Sequence, residues 1–278
     1  MSAEREELAR LARDLRAQLQ WQAELGTTGL PAGSVRSVVA ISKAESAAGP
    51  ATSERWSAPA RFSAPPGAGA PPSVGTTVPG GSNRDAASAR LVQLADEIRS
   101  CQKCPLHAGR TQTVFARGNP AAELCFVGEG PGADEDAQGF PFVGKAGQLL
   151  DRMIAAMGFL RDDVYVCNVV KCRPPSNRKP EPDEMAQCTP YLREQLELVA
   201  PKVIVALGAT AVEGLIGTSG GITRLRGQWK LYRTIPVMPT FHPAYLLRNP
   251  AAKREVWADL QAVLKQMGRP LPPAGRSA

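Results

Sequence analysis

The sequence has no long run of hydrophobic residues, although 43% of its 278 residues are hydrophobic. A membrane-spanning helix needs roughly 18 to 20 consecutive apolar residues, and no stretch of this chain approaches that length. The first residues are charged, whereas a secretory signal would begin with a basic and then an apolar segment. These absences predict a soluble protein without a membrane partner, and a cytoplasmic location is the default expectation.

Acidic residues are outnumbered by basic ones, with 26 Asp and Glu against 33 Lys and Arg and a formal net charge of +7. This excess favours a polyanionic partner such as nucleic acid. Net charge informs on association and not on fold, so the charge alone leaves a nucleic-acid-binding protein and an ordinary basic protein about equally open. In a reducing cytosol, six cysteines are expected to be free thiols or metal ligands and not disulfides.

Large apolar residues are scarce between Gly26 and Arg84, where Ala, Pro, Ser, Gly and Thr predominate. Such a composition cannot bury enough surface to offset its chain entropy, so residues 26–84 are predicted to be a disordered linker. Before it, residues 1–25 place four leucines on one stripe and predict an amphipathic helix. The folded domain is predicted to span residues 85–278.

Within that domain, short Val- and Ile-rich runs alternate with helical patterns. Most of the predicted strands are followed by a helical segment, an order that is typical of a parallel sheet covered on both faces. We therefore predict an α/β fold, a three-layer α/β/α arrangement with a central, mostly parallel four-stranded sheet. The strands are predicted at 123–127, 164–170, 203–207 and 235–238, and the main helices at 147–157, 183–199, 209–216 and 251–267.

Four of the six cysteines have a spacing that suggests metal ligands. Two residues separate Cys101 from Cys104, so both sulfurs can reach one metal from a single turn, and Cys172 and Cys188 follow singly. A structural zinc site usually has two close pairs. Because one pair is close here, an iron-sulfur cluster competes with zinc, and spacing alone leaves the two metals balanced, with unrelated buried cysteines as a third interpretation. The remaining two cysteines lie in apolar strands and are expected in the core: Cys125 and Cys167.

A glycine-rich loop, GEGPGADEDAQGFPFVGKAGQLLD, follows the apolar run ELCFV. Glycine lets a ligand approach the backbone, and a helix N-terminus after such a loop offers N–H donors to an anion. The loop lacks Gly-Lys-Ser/Thr at the spacing of a nucleotide-binding P-loop, and it is a poor dinucleotide fingerprint. A loop so long and so polar between apolar elements is nevertheless unlike a simple turn.

Four features follow one another along the chain: the close cysteine pair, this glycine-rich loop, the block NVVKCRPPSNRKPEPDE and the block HPAYLLRNP. They occur in the same order in the family 4 uracil-DNA glycosylases, which the sequence closely resembles over about residues 86 to 267. The resemblance implies a DNA-repair enzyme that hydrolytically excises uracil from DNA and leaves an abasic site. It also implies a [4Fe-4S] cluster, expected to act as a structural clamp, on four ligands: Cys101, Cys104, Cys172 and Cys188.

The resemblance further implies roles for three pocket residues. Phe142 matches the aromatic residue that stacks on the uracil ring. Asn168 matches the amide that reads uracil, because one fixed amide can accept from N3–H and donate to O4, whereas cytosine presents the reverse pattern. His242 matches the residue that bonds uracil O2 and stabilises the anionic leaving base; its tautomer is not assigned by the sequence.

The resemblance does not supply a residue at the position of the catalytic aspartate that activates water. In the best-known uracil glycosylases the loop reads Gly-Gln-Asp-Pro-Tyr with a catalytic Asp, and in this chain Gly130 occupies the Asp position. Glu129 is the nearest carboxylate and is the candidate for orienting water or stabilising the cationic sugar. Gly130 is placed at the substrate, and Glu135 is expected to shape the pocket near the missing Tyr.

DNA contacts are expected after His242, where Leu246 and Leu247 would lie on a loop that enters the base stack and Arg248 would hold phosphate. A hydrophobic helix start would account for at least one of these leucines. The predicted partner is uracil-containing DNA, single- or double-stranded; the protein is expected to be a monomer, and the N-terminal helix could bind a protein partner. Further candidate phosphate contacts are Arg173, Arg178, Lys179, Arg224, Arg226 and Lys230.

Two other functions remain open on the sequence. One is a uracil-DNA binding or trapping protein without turnover, as in a related branch that traps the sugar with a His on an added loop. The corresponding segment here, 221–229, has no His, which favours turnover. The other is a replication accessory module that binds DNA regardless of uracil.

Overall fold

A computed structural model describes residues 81–271 of the chain. The helix predicted for residues 1–25 and nearly all of the linker predicted for 26–84 lie outside the described residues. Helix α1 spans Gly81–Arg99, so the described fold begins four residues before the predicted domain start at Asp85. Within residues 81–271, no helix is both long enough and apolar enough to cross a membrane.

A six-stranded sheet in the order β1-β3-β2-β4-β6-β5 forms the centre of the fold. Its four inner strands are parallel, and β1 and β5 join the two edges in antiparallel fashion. The inner strands are nearly continuous apolar runs because both of their faces are covered. The strand bounds are β1 Ala116–Gly118, β2 Leu124–Gly128, β3 Tyr165–Asn168, β4 Val203–Leu207, β5 Lys230–Tyr232 and β6 Ile235–Thr240.

Seven further helices lie along the described part of the chain, with short 3-10 turns at Pro105–Ala108, Pro175–Asn177 and Pro250–Ala252. Local sequence explains several of their ends. Helix α4 has Pro at its first position and a capping box in which the Glu184 carboxylate accepts from the Glu181 N–H at 2.7 Å. The helices are α2 Ala133–Gln138, α3 Lys145–Ala156, α4 Pro182–Val199, α5 Ala209–Ile216, α6 Ile222–Leu225, α7 Pro243–Arg248 and α8 Lys253–Gln266.

Two hydrophobic cores lie on opposite faces of the sheet. Alternate residues of β2 point to opposite faces, so Phe126 packs with helices α3 and α8, whereas Val127 packs with helices α4 and α5. Helices therefore cover both faces, and the predicted α/β architecture is confirmed.

The sheet differs from the prediction in having six strands and not four. The additional strands, β1 and β5, have three residues each and are partly exposed, so their sequences carry little of the apolar pattern that identifies a buried strand. The segment after His242 also differs, because it forms helix α7 where a loop was expected. Pro243 at its first position and the His242 side chain at its N-cap favour that helix.

Candidate active site and thiol pocket

A cavity of about 560 Å³ lies at the carboxyl ends of the inner strands. Open α/β sheets place their ligand sites at this edge, because the loops that leave parallel strands meet there. We call it the strand-end cavity, defined by the loop after β2, the end of β3, the end of β4 and the loop after β6. Its lining includes all six residues predicted for catalysis and substrate binding: Glu129, Gly130, Glu135, Phe142, Asn168 and His242.

Close packing around Gly128 brings Phe142 and Asn168 together. A Cβ atom at Gly128 would lie 2.5 Å from Asn168 Oδ1 and 2.6 Å from the Phe142 ring, so both groups occupy space that any side chain would need. Phe142 has φ of 56°, a left-handed conformation that is uncommon for a non-glycine residue. Gly147 accommodates it, because a Cβ there would overlap the Phe142 carbonyl. Such strain is found where the surrounding structure holds a functional group in place.

Glu135 holds the backbone of this loop. One carboxylate oxygen accepts from the N–H groups of Val143 at 2.9 Å and Gly144 at 3.0 Å, and the other accepts from the Gly132 N–H at 3.0 Å. The carboxylate thus joins the start of helix α2 to the segment directly after Phe142. The role expected for Glu135 in shaping the pocket stays a prediction.

Asn168 is the last residue of β3 and is 2% exposed. Its Oδ1 atom is buried and has no hydrogen-bond partner among the described residues. An unpaired buried acceptor is costly, and such atoms are rare in native proteins. Because Asn168 lines the strand-end cavity, this atom is available to a ligand that carries a hydrogen-bond donor. On the backbone, the Asn168 carbonyl accepts from Lys171 Nζ at 2.7 Å.

His242 is the N-cap of helix α7, and its Nδ1 accepts from the Ala244 N–H at 3.1 Å. A neutral imidazole that accepts at Nδ1 carries its proton on Nε2. Burial, with a smaller contribution from the charge of Arg248, lowers the pKa of His242 to about 4. The residue is therefore a neutral donor at physiological pH, and its ring lies 5.6 Å from that of Phe142 between centroids.

Glu129 and Gly130 follow β2 on the wall of the cavity. The Glu129 carbonyl accepts from the Val170 N–H at 3.1 Å, which continues the β2–β3 pairing past the strand ends. Its carboxylate forms no hydrogen bond or ion pair with another residue in the described part of the chain. At Gly130 a Cβ would lie 2.7 Å from a methyl group of Val170, so this position has no room for a side chain on that side.

Helix α7 separates the three predicted DNA-contacting residues. Leu246 is fully buried in the core beside α3, which contradicts its predicted insertion into a base stack. The prediction assumed a loop here. In the helix, Leu246 points toward the core and its two neighbours point toward solvent. Leu247 is 44% exposed, and Arg248 is exposed and lines the cavity together with Tyr245.

Three of the candidate phosphate contacts already have carboxylate partners. Arg226 is bound to Asp259 at 2.6 Å with its side chain 18% exposed, so its charge is already paired within the fold. Arg178 forms two hydrogen bonds to the buried Glu184, at 2.7 and 2.8 Å. Lys179 pairs with Glu213 at 2.7 Å. The other candidates, for which no ion pair is seen within residues 81–271, are Arg173, Arg224 and Lys230.

A second pocket contains all four predicted metal ligands, Cys101, Cys104, Cys172 and Cys188, and we call it the thiol pocket. Arg110 donates to Cys172 Sγ at 3.1 Å, and the Lys171 N–H donates to Cys188 Sγ at 3.3 Å. Donors directed at sulfur favour the thiolate, the form that binds metal.

Burial opposes these donors in the metal-free pocket. It raises the pKa of the Cys188 thiol to about 11, and it also raises the pKa of Cys104 and of Cys172. Ionisation of these thiols therefore needs a bound cation in addition to the neighbouring donors. The remaining two cysteines, Cys125 and Cys167, are completely buried in the core, as predicted.

Within the described residues, no group of three or more His, Cys, Asp or Glu side chains is placed so that it could hold one metal ion. Four thiolates are the usual ligands of an iron-sulfur cluster, and they also occur in structural zinc sites. The four cysteines of the thiol pocket, with a cationic donor beside them, therefore supply a donor set that fits a cluster and also zinc.

Three residues near these sites were not singled out from the sequence. Lys171, within the NVVKCRPP block, bonds to the Asn168 carbonyl and lies in the thiol pocket. Tyr245 faces the strand-end cavity from α7, and Gly208, with φ of 92°, leaves β4 beside His242. Gly208 directly follows a predicted strand, and that position could have identified it. The contacts of Lys171, in contrast, depend on the tertiary structure.

Comparison with known proteins places the chain in a family. Residues 115–261 match the model of the uracil DNA glycosylase superfamily. Proteins named "Type-4 uracil-DNA glycosylase" are similar to the chain: one from Thermotoga maritima is 49% identical over 160 residues, which cover 56% of this chain and 82% of that protein. Those from Sulfurisphaera tokodaii and Archaeoglobus fulgidus are 44% and 42% identical, covering 62% and 66% of this chain and 83% and 96% of theirs. The resemblance seen in the motifs is thus confirmed, and the chain belongs to the uracil-DNA glycosylase superfamily, within its type-4 group.

Proposed function

We propose that this protein excises uracil from DNA by hydrolysing the N-glycosidic bond, leaving an abasic site. The observation that carries the proposal is the unpaired, buried Oδ1 of Asn168 in the same cavity as the Phe142 ring and a neutral His242. A base inside a duplex cannot reach such a cavity, so the uridine must be flipped out of the stack.

Asn168 and Phe142 account for recognition of the flipped base. Phe142 offers a ring face on which any pyrimidine can stack. The Asn168 Oδ1 accepts from uracil N3–H, and the amide nitrogen donates to uracil O4. Cytosine has an acceptor at N3 and a donor at C4, so its binding leaves buried polar groups unpaired on both sides, which rejects it strongly.

His242 acts on the leaving base. When the glycosidic bond breaks, its electron pair goes to uracil N1, and negative charge spreads to O2 while positive charge develops at C1′ of the sugar. The Nε2–H of the neutral imidazole donates to O2 and stabilises the developing anion. No proton has to be transferred, because the donor is placed before the bond breaks.

Glu129 is the proposed group at the sugar. Its carboxylate is free of partners among the described residues, so it can accept a hydrogen bond from a water molecule that attacks C1′. The water forms the new C1′–O bond and loses its proton to the carboxylate or to solvent. The negative charge of Glu129 also favours the cationic sugar.

The exposed residues of helix α7 are the proposed DNA contacts near the flipped nucleotide. Leu247 is available as an apolar wedge, and Arg248, on the cavity rim, can bind a backbone phosphate. The substrate class is uracil-containing DNA.

The thiol pocket is proposed to hold a [4Fe-4S] cluster on Cys101, Cys104, Cys172 and Cys188. The four thiols converge from the end of α1, the turn after β3 and helix α4, so a bound cluster would join these three segments. When bound, the cluster supplies four iron–thiolate bonds that cross-link the chain.

One assay tests the function. The purified protein is incubated with a uracil-containing oligonucleotide and with a cytosine-containing one, and free base, a stable protein–DNA crosslink and simple binding are measured. We expect free uracil, an alkali-sensitive abasic site and no cytosine release. A stable crosslink would instead indicate a trapping protein, and binding that does not depend on uracil would indicate an accessory module. Glu129→Gln with near wild-type turnover on single-stranded DNA would exclude the role of Glu129.

A further inference from the structure

Lys171 lies between the two sites and contacts both. Its Nζ donates to the carbonyl oxygen of Asn168 at 2.7 Å, and its backbone N–H donates to Cys188 Sγ at 3.3 Å. The next residue along the chain is Cys172. Lys171 therefore touches the backbone of the residue proposed to read uracil and, through its own backbone, one of the proposed metal ligands.

The burial of Lys171 is unusual for its residue type. It is 1% exposed, yet the described residues include no carboxylate that forms an ion pair with it. Lysine is almost never fully buried without a partner of opposite charge, because an isolated ammonium group is costly to remove from water. The Phe115 ring, 6.0 Å from Nζ, and the Asn168 carbonyl contribute only dipolar or quadrupolar compensation.

The thiol pocket offers a source of negative charge. Lys171 is among its lining residues. A cluster bound by four thiolates would leave a net negative charge next to the ammonium group. Lys171 would then be paired with that charge on one side, and it is hydrogen-bonded to the Asn168 carbonyl on the other.

The Asn168 amide is sensitive to small movements of its backbone. The amide oxygen and the Phe142 ring both lie where a Cβ at Gly128 would be, so the three residues pack without spare space. A displacement of β3 at Asn168 would move Oδ1 relative to any base in the cavity. Misplacement of a group by about 1 Å can cost on the order of 100-fold in rate.

We propose that Lys171 is a positioning residue that links the cluster ligands to uracil recognition: its buried side chain, which lines the thiol pocket, holds the Asn168 carbonyl and with it the amide that reads the base. The inference rests on the proposed function, because it assumes that Asn168 contacts uracil. It gives the NVVKC segment one structural role, in which Lys171 connects Asn168 to the proposed metal ligand Cys172.

The test compares Lys171→Met with Arg110→Met in the full-length, iron-loaded protein. Methionine has an unbranched side chain one atom shorter than that of lysine, and it removes the charge and the donor. Arg110 is the matched cation, because its hydrogen bonds go to Cys172 Sγ, the Cys101 carbonyl and the Arg99 carbonyl. Iron content, cluster reduction potential, inhibition by free uracil and single-turnover excision are measured for each, and kinetic values are expressed per iron-loaded molecule.

Both substitutions remove a cation beside the thiols, so both are expected to lower the reduction potential. Lys171→Met alone is expected to weaken inhibition by free uracil about 10-fold and to slow single-turnover excision by about 10- to 100-fold. Equal kinetic effects of the two substitutions per iron-loaded molecule, or an unchanged uracil affinity in Lys171→Met, would overturn the proposal.

A double-mutant cycle separates action through Asn168 from general damage. On an Asn168→Ala background, Lys171→Met should have little further effect on uracil inhibition, because the amide it positions is absent. Full additivity would overturn the proposal. If the Met variant loses iron, Lys171→Gln replaces it in the comparison, because glutamine keeps a donor without the charge. If both variants lose iron and uracil affinity in the same proportion, Lys171 supports only the cluster and the proposal is wrong. Failure of the proposed function would show differently, as no uracil release by the wild-type protein.

Discussion

The strand-end cavity and the thiol pocket lie on either side of one short segment, Asn168 to Cys172, and they differ in how their polar atoms are satisfied. In the strand-end cavity the Asn168 Oδ1 has no partner among the described residues, and the Glu129 carboxylate is also free there. In the thiol pocket three sulfurs accept hydrogen bonds from Arg110, Tyr191 and the Lys171 N–H. The first site keeps its hydrogen-bonding capacity for a ligand that comes and goes. The second directs hydrogen-bond donors at the sulfur atoms of groups that would hold a resident metal.

From this difference we expect that substitutions in the strand-end cavity change base excision and leave the iron content unchanged. Substitutions in the thiol pocket should first lower the iron content. Iron content and uracil release, measured together, therefore distinguish the two sites.

The largest effect is expected on iron. Cys172→Ser should abolish stoichiometric iron binding and the visible absorbance of the protein, because a hydroxyl is a poor replacement for a thiolate ligand. Cys125→Ser is the matched control, since Cys125 is completely buried in the core away from the thiol pocket. It should lower stability but keep iron. Equal iron contents in the two variants would remove the cluster assignment.

His242→Ala should lower kcat by about 10²- to 10³-fold, the usual cost of removing one donor to a developing anion. Iron content should not change. His107→Ala removes the other histidine, which contacts the Cys104 carbonyl beside the thiol pocket, and should retain the wild-type rate per iron-loaded molecule. A smaller loss in the His242 variant than in the His107 variant would contradict the proposed role.

The protonation of His242 makes a separate prediction about pH. Because its pKa is lowered to about 4, the neutral donor form persists above that value and is lost as pH falls through it. The single-turnover rate should therefore show no His242-dependent inflection between about pH 5 and pH 8. An inflection near pH 6.5 that disappears in His242→Gln would show that the imidazole titrates as if exposed.

Asn168→Leu should lower kcat/KM for uracil by about 100-fold or more, because a site built to hydrogen-bond its substrate depends on those bonds. Stability should not fall and can rise, since the variant removes a buried acceptor that is unpaired without ligand. Gln195→Leu is the control: its amide is also buried with an unpaired oxygen, but its nitrogen donates to the Phe115 carbonyl and the Tyr165 hydroxyl. That variant should lose stability and keep its uracil kinetics.

Gly128→Ala should reduce excision by about 10-fold or more, because the new methyl group would displace Asn168 Oδ1 or the Phe142 ring. Gly221→Ala places the same methyl group in open space at φ of −65°, and it should behave as wild type. Wild-type kinetics in Gly128→Ala would show that neither side chain needs its observed position.

The two leucines of α7 should give the smallest changes in excision on single-stranded DNA. Leu246→Ala should lower the free energy of unfolding by about 2–5 kcal/mol, as expected for a fully buried leucine. Leu247→Ala should alter stability by only about 0.5 kcal/mol, yet reduce excision from duplex DNA more than from single strands, because a wedge is needed only where a stack must be opened. The reverse pattern would restore Leu246 as the wedge.

Much of the fold could be predicted from local sequence patterns. The strand Val203–Leu207 and the helix Ala209–Ile216 have the predicted bounds, because each is a buried apolar element with glycine at a boundary. The edge strands β1 and β5 were missed since short, partly exposed strands lack that signal. Leu246 was predicted to lie on a loop and lies in the short helix α7. Pro243 at the helix start and packing on the core favour that helix.

The candidate site was predictable to a similar degree. The resemblance in the motifs implies that Phe142, Asn168 and His242 are pocket residues and that the four cysteines are a ligand set. In the structure the first three line the strand-end cavity, and the four cysteines line the thiol pocket. Their proposed roles stay predictions. The carboxylate partners of Arg178, Lys179 and Arg226 could not be foreseen, because the ion pairs of Lys179 and Arg226 join residues more than 30 positions apart.

By itself, the sequence determined the α/β class through its apolar periodicity and the family through its motifs, because both are local properties of the chain. The residues proposed for the two sites follow from the resemblance to that family. Only the tertiary structure decided which leucine is exposed, which nitrogen of His242 is free, that the Asn168 oxygen is unpaired and that Lys171 lies between the two sites. These facts depend on burial and on hydrogen bonds across the fold, which are set by packing and not by any local pattern.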